Sequence, residues 1–186
     1  MKFKYQTQHL YITVLHPEQA QLVLDFYIRN RDFLEPLEPA RHASFYTLDF
    51  QRSNLHCEYH SFLNSSYMRV WLFEKEHPEQ AVGTICFSNF LHGAFCSCMV
   101  GYKMDREYLR RGYMAEALSF LLPIVCREYQ FHRIEAYVMP SNLPSIRLLE
   151  KLGFEQEGYL RQFAQINGNW EDHCLYTYCS PTGNNQ

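Results

Sequence analysis

The sequence predicts a mixed α/β fold in which helices cover a largely antiparallel sheet, and three stretches carry that expectation. "HLYITVL" (9–15) alternates in polarity, as a half-buried strand does. "YMAEALSFLLPIVCREY" (113–129) is an apolar, helix-forming run that opens after a glycine. "EQEGYLRQFAQINGNWEDHCLYTYC" (155–179) reads as two strands around Asn167-Gly168, a dipeptide that favours the type I′ hairpin turn. The full order is β-α-α-β-β-β-α-β-α-β-β.

The elements follow in sequence. After the first strand, "HPEQAQLVLDFYIRNRDFL" places Pro17 and Glu18 in a first helical turn, with Ala20, Val23, Leu24, Tyr27 and Ile28 on one face. "LEPLEPA" (34–40) must end that helix, because a proline in a helix interior loses a hydrogen bond and clashes with the preceding turn. A weaker helix is expected within 45–65. "RVWLFEK" and "AVGTICFSNFL" are strand-like and joined by the hairpin loop "EHPEQ". "AFCSCMVGYKM" is a third strand, in which Gly101 marks a bulge or a close approach to the backbone, and Cys96 and Cys98 share a face. In the long helix, Pro123 should cost about 3 kcal/mol and predicts a kink. "HRIEAYVM" (132–139) is the next strand. "PSNLPSIRLLEKLGF" then carries a complete short helix: Ser141 or Asn142 to cap it, Pro144 in the first turn, Ile146, Leu149 and Leu152 on one face, and Gly153 to end it.

The 186 residues suit one domain, expected over 1–180, with 181–186 a frayed tail. The hydrophobic share of 47% and charged share of 20% fit a globular protein, and no segment reads as a signal peptide or a membrane span. Seven cysteines, an odd number outside any disulfide framework, indicate a reducing compartment and hence the cytoplasm. A net charge of −3 argues against a general nucleic-acid binder. Aromatic residues, at 16%, favour strands and a pocket with flat apolar walls. His56, Cys57 and His60 have a zinc-like spacing, but no second cluster accompanies them, so no metal is expected.

One stretch is not explained by stability. "REYLRRGYMAEAL" (106–118) sets Arg110 and Arg111 at the start of a helix, where unpaired N–H groups and the macrodipole are already positive. Acidic residues normally stabilise that end, so an external anion is the natural partner. Gly112 lets the backbone approach it. The P-loop and the Gly-x-Gly-x-x-Gly fingerprint are both absent, which leaves another phosphate ligand.

With this loop, "NRDFLEPLEPAR" (30–41), "FSNFLHGAFCSCMVGY" (87–102) and "HRIEAYVMPSNLPSIRLLEKLGFEQEGYLRQFAQINGNWEDH" (132–173), the chain resembles the GCN5-related N-acetyltransferase (GNAT) superfamily. The resemblance is to its RimJ/RimL branch, whose members acetylate protein N-termini, and the C-terminal half is most similar to the ribosomal-protein-alanine type. It covers most of the chain. In that superfamily the pyrophosphate of acetyl-CoA rests on a Gln/Arg-x-x-Gly-x-Gly/Ala loop. Here Leu109 stands at the Gln/Arg position and Met114 at the last small residue, while Gly112 is kept.

The resemblance implies the GNAT fold, acetyl-CoA as co-substrate and no metal. It implies that Tyr102, Lys103 and Met104 pair with the pantetheine arm and that Arg110, Arg111, Gly112, Tyr113, Met114 and Ala115 hold the pyrophosphate. Asn142 would contact the arm. Ser145 would protonate the departing thiolate, since Leu149 occupies the position where relatives often carry a tyrosine. On the acceptor side it implies Glu35 and Glu38, acidic groups suited to a cationic N-terminus, together with Asn89. Ala164 replaces a glutamate found in RimL-like enzymes, so no dedicated base is evident.

The expected activity is acetyl transfer to a protein N-terminal α-amine of the ribosomal-protein S5 type. The alternatives are acetylation of a small amine and a non-catalytic CoA-binding module. The expected partners are acetyl-CoA and a protein N-terminus, with no membrane, no direct nucleic-acid contact and the oligomeric state open.

Overall fold

The computed structural model describes residues 2–180 and builds one eight-stranded sheet in the order β1-β2-β3-β4-β5-β6-β8-β7. The tail expected over 181–186 lies outside the described residues. The strands are β1 (Lys4–Gln6), β2 (Leu10–Thr13), β3 (Met68–Glu74), β4 (Ala81–Leu91), β5 (Ser97–Met104), β6 (Arg133–Val138), β7 (Glu155–Ile166) and β8 (Asn169–Cys179). The helices are α1 (Ala20–Arg29), α2 (Arg31–Leu34), α3 (Leu48–Leu63), α4 (Tyr113–Tyr129) and α5 (Leu143–Lys151). Neighbouring strands are antiparallel except β5 and β6, which run parallel with α4 between them in the chain.

Alternation along the strands sends apolar residues to two cores. On one face, Val70, Leu72, Ile85, Phe87 and Val100 pack with Ala117, Leu118, Leu121 and Val125 of α4 and Leu149 of α5. On the other, Trp71 and Phe73 pack with Val23, Phe26 and Tyr27 of α1 and Leu55 of α3. Phe26 meets Trp71 edge-on at 5.3 Å, a geometry worth about 0.5–1.5 kcal/mol beyond the area it buries. Ile28, grouped by its spacing with the buried face of α1, is instead 54% exposed.

Several local expectations hold. Asn167 and Gly168 both take positive φ, as a type I′ turn requires. Asn142 caps α5 by accepting from the Ser145 N–H at 3.3 Å, and Gly153 follows the helix at φ +84°. The prolines of "LEPLEPA" end the first helical region in a short 3₁₀ turn, Glu35–Leu37.

Others are corrected. The strand expected over 9–15 is β2, and a further short strand that the sequence did not suggest, β1, precedes it across a turn where the Thr7 N–H bonds the Leu10 carbonyl. α4 spans Pro123 without a break, and both the proline and Ser119, whose carbonyl loses its partner, are exposed to water. The irregularity of the β4–β5 pair falls between Ser88 and Leu91, not at Gly101, where a Cβ would meet the Cys86 sulfur at 3.4 Å. Cys96 lies before β5 at φ +40°, with its thiol on the Gly93 carbonyl, so it does not share the buried face of Cys98. No described helix is long and apolar enough to cross a membrane.

Candidate active site

Asp105 directly follows β5, has no exposure, and organises the turn after it. It takes hydrogen bonds from Arg29 Nε at 2.7 Å and Asn30 Nδ2 at 3.0 Å, and caps the short Arg106–Tyr108 turn through the Glu107 N–H. Asn30 in turn accepts the Arg106 N–H at 2.9 Å. A buried carboxylate held this way fixes where the loop begins.

The loop enters α4 through two residues in left-handed conformation, Arg110 at φ +62° and Gly112 at φ +81°. Gly112 is the N-cap and has no side chain to offer. The N–H groups of Tyr113, Met114 and Ala115 therefore open α4 uncapped, at its positive end. A Cβ built on Gly112 meets nothing within 4 Å, so this side of the backbone is open. Met114 is buried in the core, which explains why a large side chain is tolerated there and leaves only its backbone to the loop. Arg110 is exposed and has no ion pair among the described residues. Arg111 is held: its guanidinium lies 3.4 Å from Glu74 and stacks 4.5 Å over the Tyr108 ring, while the Tyr113 hydroxyl also donates to Glu74.

The sheet opens beside this loop. β5 pairs with β6 only through Ser97, Cys98 and Met99, whereas β6 stays paired with β8 to Val138. The Asp105 N–H bonds the Val82 carbonyl at 2.9 Å. Because an antiparallel ladder alternates, Lys103 and Gly101 also turn their backbone groups to β4, and Tyr102 and Met104 turn theirs to the opening. Of the three residues expected to pair with pantetheine, two present free backbone groups and Lys103 does not.

The α5 side of this opening is bridged. The Tyr102 hydroxyl lies 2.7 Å from Ser145 Oγ. Burial pushes the Tyr102 phenol up to about 12, against the pull of its bond to Ser145. Leu149 is buried in the core one turn further on.

On the opposite face, Lys103 Nζ is 2.5 Å from Glu38 Oε1, and Glu38 also pairs with Arg41. The Glu38 carbonyl accepts the Asn167 N–H at 2.8 Å, which ties this loop to the β7–β8 hairpin. Glu35 is engaged by Arg31 and by the Tyr46 hydroxyl, and the Arg31 bond foremost lowers its pKa. Both glutamates are thus already paired with cations. Asn89 is not brought to them: it sits at φ +52° in the β4 irregularity with its amide on the Met99 sulfur, near the start of β5. Lys103 stands about five residues up β5, some ~17 Å at strand rise.

Sequence reasoning missed Asp105 and Glu74. An aspartate just before a short turn is a capping signal that could have found the first, but nothing local announces Glu74, which acts across the sheet.

A model of the Acetyltransferase (GNAT) domain matches residues 14–155. The chain is 35% identical over 182 residues to the [Ribosomal protein uS5]-alanine N-acetyltransferase of Escherichia coli, covering 97% of this chain and 92% of that protein. The structure of ribosomal-protein-S5-alanine acetyltransferase from Vibrio fischeri superposes with a TM-score of 0.92 at 28% identity, over 97% of this chain and 98% of that one. Mycobacterium smegmatis RimJ in complex with CoA-disulfide shares the fold, with a TM-score of 0.85 at 23% identity over 95% of this chain and 85% of that one.

Proposed function

The chain belongs to the GNAT acetyltransferase family, and from that premise we propose that it moves the acetyl group of acetyl-CoA to the N-terminal α-amine of a protein, with the alanine N-terminus of ribosomal protein S5 as the acceptor. The acceptor is read from the relatives above, whose names specify that alanine. One observation carries the site: an uncapped helix start and an unpaired strand edge lie together, the first suited to a pyrophosphate and the second to an extended amide chain.

The residues divide the work. The N–H groups from Arg111 to Ala115 bind the pyrophosphate, and exposed Arg110 adds charge. Tyr102 and Met104 hydrogen-bond the pantetheine arm along the strand edge, and a backbone N–H at Tyr102 faces the charge that develops on the thioester oxygen. Asn142 holds the first turn of α5 in place, so that Ser145 faces the departing sulfur and supplies its proton. The acceptor enters from the face carrying Glu38 and Lys103, because α4 and α5 occupy the other. An N-terminal amine has a pKa near 8, so about a tenth of it is neutral near pH 7 and a water can take the remaining proton.

The test is thiol release from acetyl-CoA with a peptide copying the S5 N-terminus, beside a polyamine and the same peptide with its α-amine blocked. Turnover on the free peptide alone is expected. Turnover on the polyamine alone would replace the acceptor with a small amine.

A further inference from the structure

We propose that Tyr102 and Ser145 work as one proton-delivering pair, in which the Tyr102 hydroxyl restores the proton that Ser145 gives to the departing CoA sulfur. The inference rests on Ser145 being the donor to sulfur and adds where its proton comes from.

A serine hydroxyl alone is a poor acid for this task. An alcohol gives up its proton about as reluctantly as water, whereas a thiol does so near 8.5. A lone serine would have to become an alkoxide to protonate a much weaker base. The structure offers a way round. Tyr102 reaches from β5 across the opening to α5, and its hydroxyl sits 2.7 Å from Ser145 Oγ, within the range of a good O–H···O bond. The Ser145 carbonyl, 3.4 Å away, is a weaker second acceptor for the same hydroxyl. If Tyr102 donates to Oγ, the serine hydrogen is free to point at the sulfur.

Burial holds the Tyr102 phenol near 12, so it stays protonated throughout the physiological range yet remains a far stronger acid than serine. Burial raises it and the bond to Ser145 opposes that rise.

The step balances. The amine nitrogen forms the new C–N bond and loses a proton to water. The C–S bond breaks and its electron pair goes to sulfur. Sulfur takes the proton of Ser145, Ser145 takes that of Tyr102, and Tyr102 recovers one from water. The serine ends as it began. Tyr102 also presents its backbone to the pantetheine side of the opening, so one residue would hold the thioester with its main chain and feed the leaving group through its ring.

The experiment compares Tyr102→Phe, Ser145→Ala and the double variant under conditions where acetyl transfer limits kcat. Tyr102→Phe keeps the ring and its packing. The expected result is a kcat lowered tenfold or more in each single variant, an acetyl-CoA Kd within twofold of the parent, and a double variant no slower than the slower single. Full kcat in Tyr102→Phe beside a slow Ser145→Ala would overturn the pair and leave Ser145 as the donor. Full kcat in both removes the donor reading and the pair with it. Effects that multiply in the double variant show two separate roles and overturn the relay. A fluorinated tyrosine placed at 102 guards against misfolding: its more acidic phenol should bring the alkaline limb of kcat to lower pH, and an unmoved limb counts against the pair.

Discussion

Lys103 Nζ lies 2.5 Å from Glu38 Oε1, which fastens the loop between α2 and α3 to the strand that edges the opening. Glu38 is 8% exposed, Arg41 15% and Lys103 22%, so this cluster is largely shielded from water. Removing one partner of a shielded pair strands the others. Glu38→Gln should therefore destabilise the protein by about 2–3 kcal/mol, measured by chemical denaturation, and raise the acceptor KM through the displaced loop. Glu35→Gln, on the exposed Arg31 pair, should move stability much less. Equal effects from both would show that burial is not what distinguishes them.

Gly112→Asp puts a carboxylate against the uncapped start of α4. A Cβ at this position meets no protein atom within 4 Å, although φ +81° strains any side chain. The protein should remain folded while acetyl-CoA binds more than tenfold more weakly, a loss above about 1.4 kcal/mol. Calorimetry on the folded variant reads this directly, and an unchanged Kd removes the loop from the site.

Asp105→Ala deletes the cap of the Arg106–Tyr108 turn and leaves Arg29 and Asn30 without their shared acceptor. A loss of about 3 kcal/mol is expected. Acetyl-CoA binding should weaken in the same variant, although Asp105 is buried below the loop. A stability loss with unaltered Kd would mean that the loop keeps its shape without this anchor.

Glu116 links α4 to the N-terminal strands, accepting the His9 N–H at 2.8 Å and the His9 ring at 2.7 Å. Burial alone would raise its pKa, but hydrogen bonds from Thr7 and from the His9 backbone and ring outweigh it, and the net shift is downward. A carboxyl lowered in the folded state binds its proton more readily once unfolded. Its stabilisation is therefore complete above the ordinary carboxylate pKa and is lost as pH falls through the lowered folded value. Melting temperature should drop on acidification below about pH 4.3, and Glu116→Gln should flatten that limb. Identical acid limbs in the two proteins would assign the loss to other carboxylates.

Local signals carried most of the fold. Period and capping chemistry announced α4 and α5, and the positive-φ preference of Asn167-Gly168 announced the last hairpin. The local geometry of the candidate site was legible where backbone conformation makes it, in the positive φ of Gly112 and the Asn142 cap. It was not legible where residues distant in sequence meet. Glu38 reads as a free loop charge until the fold delivers Lys103 to it, and Asn89 looks like a groove residue until strand register carries it to the far end of β5. The Tyr102–Ser145 contact likewise depends on how a strand and a later helix pack.

The parting of β5 from β6 makes the sheet a ladder with missing rungs. An acetyl-CoA molecule lying along Tyr102 and Met104 would supply those rungs and act as a cross-brace between two halves of the same sheet. Binding of that kind adds to folding free energy by mass action, about 2.7 kcal/mol when the ligand stands at a hundred times its Kd. Susceptibility to proteolysis would then follow the abundance of the acetyl donor, so that a cell short of acetyl-CoA would slow this protein's rate of acetyl transfer and shorten its lifetime together.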